Sequence, residues 1–133
     1  MGTADRRTFL RTACACCAAV GLAACTSSRA PLHSAAGHVL AKLADIPVGG
    51  SASATSPDGK PLLLARPTAT TVVAFSAVCT HQGCTVEPAG SQVGCPCHDA
   101  VYDAFTGAVV SGPAPLPLTK YAVAIRGADV VTA

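Results

Sequence analysis

The sequence has few aromatic and few charged residues. Aromatic side chains make up 4% of its 133 residues, tryptophan is absent, and charged side chains make up 12%. Alanine and valine supply much of the apolar content, which favours a thin, β-rich core. No stretch after residue 30 repeats its apolar residues at helical spacing. The length leaves room for one domain, and we expect that domain to contain little helix.

The sequence also lacks the marks of nucleic-acid binding and of independent catalysis. From Cys25 onward, acidic and basic side chains are equal in number, so no basic patch is available for a phosphate backbone. There is no phosphate-binding loop, no nucleophile paired with a base and no pair of catalytic carboxylates. We therefore expect no nucleic-acid partner, and we do not expect the chain to catalyse a reaction on its own.

Short apolar runs separated by turn residues predict β-strands from residue 38 onward. The clearest run, Thr70 to Ser76, is β-branched and apolar and leads directly into a cysteine-rich stretch. Ser56-Pro57-Asp58-Gly59 has the residues of a hairpin turn, and residues 46–50 predict another turn. Further strands are predicted at 38–43, 61–65, 101–105, 108–110, 121–125 and 130–132. This pattern favours an antiparallel β-sandwich or partly open barrel.

Two segments rich in cysteine and histidine stand out in the second half of the chain. The first box is Cys79-Thr80-His81-Gln82-Gly83-Cys84, and the second box is Cys95-Pro96-Cys97-His98. The connector of about ten residues is long enough for a β-hairpin. Thiolate and imidazole suit both iron and zinc, so the boxes predict a metal site. The residue types alone leave open the metal and the role of two of the four cysteines.

The two boxes resemble those of the Rieske iron–sulfur proteins, specifically the disulfide-containing branch of quinol-oxidising complexes. The resemblance implies a 2Fe-2S cluster whose ligands are Cys79 and Cys95 on one iron and His81 and His98 on the other. It also implies a Cys84–Cys97 disulfide. The implied fold is an all-β antiparallel sandwich or partly open barrel with a projecting cluster-binding subdomain. That domain would cover residues 38–133, with the cluster loops at about 77–117.

A third loop and a tyrosine extend the resemblance. The segment Gly112-Pro113-Ala114-Pro115-Leu116-Pro117 resembles the proline loop that covers the cluster, and its fixed φ angles would make a stiff lid. Gly112 and Pro113 would therefore help to tune the cluster. Tyr102 matches the family tyrosine whose hydroxyl bonds to a ligand cysteine, which is a further tuning contact.

Two positions depart from the quinol-oxidising members. Those members usually follow Cys-His with Gly-Ser, and the serine donates a hydrogen bond to the cluster, whereas this chain has Asp99 and Ala100. We therefore expect a reduction potential below the top of the Rieske range of roughly −150 to +300 mV. Gln82 stands where those members usually have leucine, which argues against quinol docking.

The first residues predict export. The segment Asp5-Arg6-Arg7-Thr8-Phe9-Leu10-Arg11 resembles a twin-arginine signal, and the apolar run after it is too short to span a membrane. Twin-arginine export carries folded proteins, which suits a cofactor that is assembled in the cytoplasm. The predicted signal peptide is 1–24, and residues 25–37, which are small and polar, predict a flexible tether.

The signal ends in a pattern that resembles a bacterial lipobox. Leu22-Ala23-Ala24-Cys25 would be cleaved before Cys25, and that cysteine would be lipidated. Of the eight cysteines in the sequence, three lie in the signal and four in the boxes, so lipidation would account for the remaining one. The predicted location is the outer face of the cell membrane; the alternative is ordinary cleavage that leaves Cys25 free.

The sequence therefore predicts a membrane-tethered carrier of single electrons whose partner is another redox protein or a quinol. One alternative is a small Rieske subunit of a larger quinol-oxidising or molybdenum oxidoreductase complex. An oxygenase-type Rieske ferredoxin fits less well, because that branch lacks the two disulfide cysteines. An alternative of another class is a structural zinc or disulfide-stapled binding module.

Overall fold

The computed structural model describes residues 36–133, which form eleven short strands and a single 3-10 turn at Leu43–Asp45. All strand pairs are antiparallel. The strands are β1 (Val39–Lys42), β2 (Gly50–Thr55), β3 (Pro61–Thr68), β4 (Thr71–Ser76), β5 (Glu87–Ala89), β6 (Gln92–Gly94), β7 (Val101–Asp103), β8 (Val109–Ser111), β9 (Lys120–Tyr121), β10 (Val123–Arg126) and β11 (Asp129–Thr132).

The strands build three sheets. The first has the order β1-β11-β10, the second β2-β3-β4-β9 and the third β5-β6-β7-β8. Ile46, Leu64, Ala74 and Val130 form one buried core, which joins β3 and β4 of the second sheet to β11 of the first. A larger core lies beneath the third sheet and the two boxes, and it includes Phe75 and Leu118. The predicted all-β fold is thus confirmed.

Strand β3 is central because both of its faces are covered. Leu62, Leu63, Leu64 and Ala65 are all buried. Leu63 and Ala65 lie in the larger core and Leu64 in the smaller one, as the alternation of side chains along a strand requires. A strand that is buried on both sides reads as a continuous apolar run, which explains the three leucines in a row. The neighbouring β4 carries the chain from this core into the first box.

Several predicted strands and turns are confirmed, and two details are corrected. The turn at residues 56–59 joins β2 to β3, and the connector between the boxes forms the β5–β6 hairpin. Strand β2 was not predicted, because its sequence Gly-Ser-Ala-Ser-Ala-Thr has little β-branched or apolar content. Tyr121 was assigned to the same strand as Ile125, but it lies in β9 and pairs with β4.

One arginine near the end of β3 ties the second sheet to the segment that follows β1. Arg66 donates from Nη1 to the carbonyl oxygens of Leu43 and Ile46, at 2.9 and 3.2 Å, and from Nη2 to that of Ala69, at 2.8 Å. These carbonyl oxygens lie in a turn and a connecting segment, so no paired strand donates a hydrogen bond to them. Arg66 thus fixes the connection that places Ile46 in the core.

The described region begins close to the predicted domain boundary. The backbone N–H of Gly37 donates to the carbonyl of Thr132 at 2.8 Å, so sheet bonding starts one residue before the predicted start at 38. The predicted signal peptide, Cys25 and the predicted tether up to residue 35 lie outside the described residues. Within 36–133, no helix has the length and apolar character needed to cross a membrane.

Candidate metal centre

Three loops around the third sheet adopt the same backbone turn. In each, the first residue's N–H donates to the carbonyl of the sixth, and the fifth residue's N–H donates to the carbonyl of the first, at 2.7–3.1 Å. The loops are Cys79–Cys84, Cys95–Ala100 and Asp103–Ala108. The first two contain the boxes, and the third connects β7 to β8. The two boxes therefore have the same backbone conformation, a six-residue turn closed by two hydrogen bonds.

This turn holds a negative charge at its first position. In the third loop, Oδ1 of Asp103 accepts from the backbone N–H groups two and three residues later, at 2.9 and 2.8 Å, and from the hydroxyl of Thr106. Burial raises the pKa of Asp103, but these three donors outweigh it and hold the pKa below its usual value. Asp103 therefore caps its turn.

Cys79 occupies the equivalent position in the first loop. Burial raises the pKa of its thiol, whereas hydrogen bonds from the Tyr102 hydroxyl and from the N–H groups of His81 and Gln82 lower it, with a further contribution from Cys95. The donors outweigh burial, so the pKa of Cys79 lies below its usual value. A thiolate is the form of cysteine that binds metals, and this loop stabilises it.

A buried tyrosine connects the first box to the proline loop. The hydroxyl of Tyr102 lies 3.2 Å from Sγ of Cys79 and 3.1 Å from Oγ1 of Thr80, and it accepts from the Thr80 N–H at 3.1 Å. The Thr80 hydroxyl donates its only proton to the Leu116 carbonyl at 2.6 Å. Thr80 Oγ1 can therefore only accept from Tyr102. Two acceptors, the Cys79 sulfur and Thr80 Oγ1, thus compete for the single Tyr102 proton.

The two histidines lie together at the outer side of the site. The rings of His81 and His98 have centroids 4.7 Å apart and are perpendicular, and His98 is exposed. Nδ1 of His81 is buried and has no hydrogen-bond partner. An imidazole nitrogen buried without a partner is costly unless a ligand satisfies it. This atom fits a metal-binding group, and it lies two residues from the buried Cys79 thiol.

The cysteines of the boxes divide into two kinds. Cys84 and Cys97 form a disulfide that joins the first box to the second. Among the described residues, Cys79 and Cys95 are the free cysteines, and both are buried. A disulfide that closes a loop of this size typically stabilises a fold by about 3 kcal/mol. The two free thiols are buried, whereas His81 is partly exposed and His98 is exposed. The site thus has a buried side with the thiols and an exposed side with the imidazoles.

The proline loop rests directly on the second box. Gly112 has a φ of +88°, and a Cβ atom there would lie 2.6 Å from Cα of Ala100 and 2.8 Å from the Asp99 carbonyl. At the other end of the loop, Leu118 is buried and its N–H donates to the Gly107 carbonyl at 2.9 Å. Pro113 follows Gly112 and is exposed. The loop is thus anchored on all three turns.

Asp99 marks the fifth position of the second turn. Its φ is +58°, and in the other two turns the corresponding residues are Gly83 and Gly107, with φ of +82° and +75°. Within 36–133, Asp99 is the one residue other than glycine with a positive φ. Aspartate tolerates this conformation better than most residues. Asp99 therefore meets the turn's backbone requirement, and the buried Ala100 leaves no hydroxyl beside it.

Sequence reasoning missed the competing role of Thr80 and the likeness of the third turn to the two box turns. The signal for the third turn was present, because Asp103 and Gly107 have the same spacing as Cys79 and Gly83. No sequence signal could have shown the Thr80 bond to the proline loop, since 36 residues separate the two partners. By contrast, two contacts between the boxes involve side chains that the sequence singled out: the Cys84–Cys97 disulfide and the contact between the rings of His81 and His98.

The fold and the site define a small all-β domain of the metal-binding class. Residues 37–122 match the sequence model of the Rieske 2Fe-2S domain, which is more than half of the chain. The chain belongs to the Rieske family. It therefore has the domain that binds a 2Fe-2S cluster. The buried His81 Nδ1 and the stabilised Cys79 thiolate fit that group.

Individual relatives agree with this membership. The chain is 40% identical over 92 residues to the cytochrome b6-f complex iron-sulfur subunit of Chlorobaculum thiosulfatiphilum, covering 68% of this chain and 49% of that protein. It thus spans about half the length of this relative.

Solved structures show the same fold. The cyanobacterial plasma membrane Rieske protein from Synechocystis PCC 6803 superposes with a TM-score of 0.62 at 29% identity, over 71% of this chain and 98% of that one. The ferredoxin of Sphingomonas yanoikuyae B1 has a TM-score of 0.59 at 22% identity, over 72% and 96% of the two chains, and shares the fold.

The contact between Gly112 and the second box can be tested by substitution. Gly112→Ala places a methyl group against the Ala100 backbone, and we expect it to lower the free energy of unfolding by about 1–3 kcal/mol more than Gly127→Ala. Gly127 is a matched control, because its φ is also positive and nothing lies within 4 Å of its Cβ position. Urea unfolding of both variants measures the difference. Equal losses would show that the proline loop is not fixed by this contact.

Proposed function

We propose that this chain carries single electrons through a 2Fe-2S cluster that is held by Cys79, Cys95, His81 and His98. The proposal is carried by the buried Nδ1 of His81, which has no partner and lies beside the His98 ring. The two free thiols are buried, and both disulfide cysteines are already bonded to each other. The bound cluster would accept and release one electron, while these side chains hold it in place.

The two sides of the site suggest where electrons enter or leave it. Cys79 and Cys95 are almost fully buried, whereas His98 is exposed. The imidazole edge would then be the point where an electron enters or leaves, facing a redox partner protein or a quinol. Gln82 is exposed near this edge and replaces an apolar side chain with a polar one. This favours a protein partner over a quinol.

A role as a subunit is the second candidate function. The relative from Chlorobaculum thiosulfatiphilum is named as an iron-sulfur subunit of a cytochrome b6-f complex, and it is about twice as long as the matched region. The similarity favours assembly with a larger membrane complex. Co-purification of a large subunit with this chain would support assembly, and isolation as a single species would favour an independent carrier.

The ligand assignment is tested by spectroscopy of the protein purified from an export-competent bacterium. We expect a red-brown protein whose dithionite-reduced form gives a rhombic EPR signal typical of mixed cysteine and histidine ligation. His98→Ala should abolish this signal, whereas His38→Ala should keep it, because His38 precedes β1, which belongs to the first sheet and not to the sheet beside the boxes. A colourless protein that contains one zinc would contradict the proposal and support the binding-module alternative.

Tyr102 and Thr80 should shift the reduction potential in opposite directions. Hydrogen bonds to cluster sulfurs stabilise the reduced state, so Tyr102→Phe should lower the midpoint potential. Thr80→Val removes the competing acceptor and should raise it. We expect changes of tens of millivolts, since about 59 mV corresponds to a tenfold change for a one-electron couple.

Voltammetry of both variants measures these shifts, and Thr80→Ser is the matched control. The serine keeps the hydroxyl that accepts from Tyr102 and donates to the Leu116 carbonyl, so its potential should equal that of the unaltered protein. If Thr80→Val lowers the potential instead, the threonine acts by holding the proline loop rather than by competing for the proton.

We further propose that the domain is tethered to the outer face of the cell membrane through lipid on Cys25. The twin-arginine and lipobox patterns support this, and so does the 29% identical Rieske protein, which is named as a plasma membrane protein. One acyl chain binds membranes weakly, whereas two or more anchor firmly, at about 0.8 kcal/mol for each buried methylene.

Cys25→Ser tests the tether. We expect the unaltered protein in the membrane fraction and the variant released into the soluble exported fraction. Metabolic labelling with a fatty acid should mark the unaltered protein alone. Cys14→Ser, in the predicted signal, is the control and should leave both results unchanged. Labelled Cys25→Ser protein would show that lipid is attached elsewhere.

A further inference from the structure

The third turn, Asp103–Ala108, contains neither cysteine nor histidine, yet it lies between the core and the proline loop. Gly107 is buried, and a Cβ atom there would lie 2.7 Å from the ring of Phe75 and 3.2 Å from the Leu118 carbonyl oxygen. The Gly107 carbonyl accepts a hydrogen bond from the Leu118 N–H at 2.9 Å. The end of the proline loop therefore rests on the third turn.

The side chain of Asp103 holds this turn closed. One atom, Oδ1, accepts from the N–H groups of Phe105 and Thr106 and from the Thr106 hydroxyl, at 2.8–2.9 Å. The turn also begins one residue after Tyr102, because both residues belong to β7. Without the carboxylate, two backbone N–H groups would lose their acceptor, and the Gly107 carbonyl would no longer be fixed.

A chain of hydrogen bonds leads from this turn to the Cys79 sulfur. Leu118 is separated by a single proline, with its fixed φ angle, from Leu116, so the position of one determines that of the other. The Leu116 carbonyl accepts from the Thr80 hydroxyl at 2.6 Å. Thr80 Oγ1 lies 3.1 Å from the Tyr102 hydroxyl, and that hydroxyl lies 3.2 Å from Sγ of Cys79.

We propose that Asp103 is a positioning residue for the cluster site, because its carboxylate fixes the proline loop through the third turn. The inference rests on the proposed function. With the Leu116 carbonyl in place, Thr80 donates to it and competes with the Cys79 sulfur for the Tyr102 proton. When the loop shifts, the Thr80 hydroxyl donates to Tyr102 instead, and the Tyr102 proton goes to Cys79 alone. The carboxylate thus keeps the hydrogen bond to sulfur weaker and the reduction potential lower.

Two substitutions of Asp103 separate position from charge. Asp103→Ala and Asp103→Asn both remove a negative charge, which raises the potential equally in the two variants. Asparagine keeps an oxygen that accepts the same three hydrogen bonds, whereas alanine has none. We expect the equilibrium constant for reduction to be about threefold larger for the alanine variant, or about 28 mV, since about 59 mV is tenfold for one electron. Voltammetry of the cluster-containing full chain measures it.

Thr80→Val supplies the background that identifies the route. In this background the proline loop has no hydroxyl through which to act on Tyr102, so the alanine and asparagine variants of Asp103 should have equal potentials. A difference of the same size in both backgrounds would overturn the inference, because the alanine would then act on the cluster by another route. Equal potentials in the chain that keeps Thr80 would overturn it as well.

Hydrogen exchange tests the same role without relying on the cluster. The Leu118 amide should exchange at least about tenfold faster in Asp103→Ala than in Asp103→Asn or the unaltered chain. The control is the Thr132 amide, which donates to the His38 carbonyl in the first sheet at 2.9 Å and should be unaffected. Unchanged exchange at Leu118 would overturn the inference whether or not a cluster is bound. A zinc-containing protein would overturn the proposed function, while exchange would still decide whether Asp103 fixes the loop.

Asp103→Ser replaces the alanine variant if that variant does not fold, which loss of protection at the Thr132 amide would reveal. A serine hydroxyl can accept from one of the two backbone N–H groups, so the turn is weakened rather than opened. We expect its potential to exceed that of Asp103→Asn in the chain that keeps Thr80 and to equal it in the Thr80→Val background. Equal potentials in both backgrounds would contradict the positioning role.

Discussion

The site depends on a six-residue turn that stabilises a negative charge at its first position. Cys79 and Asp103 both stand there, and each accepts hydrogen bonds from the backbone two and three residues later. The backbone donors are common to both turns, and one hydroxyl adds to them in each case, from Tyr102 at Cys79 and from Thr106 at Asp103. The same backbone turn can therefore stabilise a thiolate or a carboxylate.

That constraint explains the arrangement of the rest of the domain. The second box needs two strand ends at one edge of the third sheet, and there β6 ends and β7 begins. The turns also need a stiff base, which the core beneath them provides with Phe75, Val93 and Tyr102. The proline loop then closes the site from above through Thr80 and Gly112. Core, turns and loop stabilise one another, although they lie far apart in the sequence.

Much of this could be predicted from the sequence, and the gaps have physical causes. Cysteine and histidine at close spacing reveal a metal site, because few residue types bind metals and the loops are short. The strand Thr71–Ser76 was evident from its β-branched residues. Strand β2 was not, because its small residues owe their conformation to pairing with β3. The division of one tyrosine proton between Cys79 and Thr80 depends on distances that no local pattern encodes.

The anchoring of the proline loop has a consequence for the speed of electron transfer. A donor or acceptor site that changes shape when its charge changes must rearrange before each transfer, and that reorganisation energy slows the reaction. Here the lid is seated on the backbone of Ala100, its proline residues have fixed φ angles, and a disulfide joins the two boxes. Such a preorganised frame leaves little to rearrange when an electron arrives. The stiffness that protects the site thus also keeps the barrier to its reduction and reoxidation low.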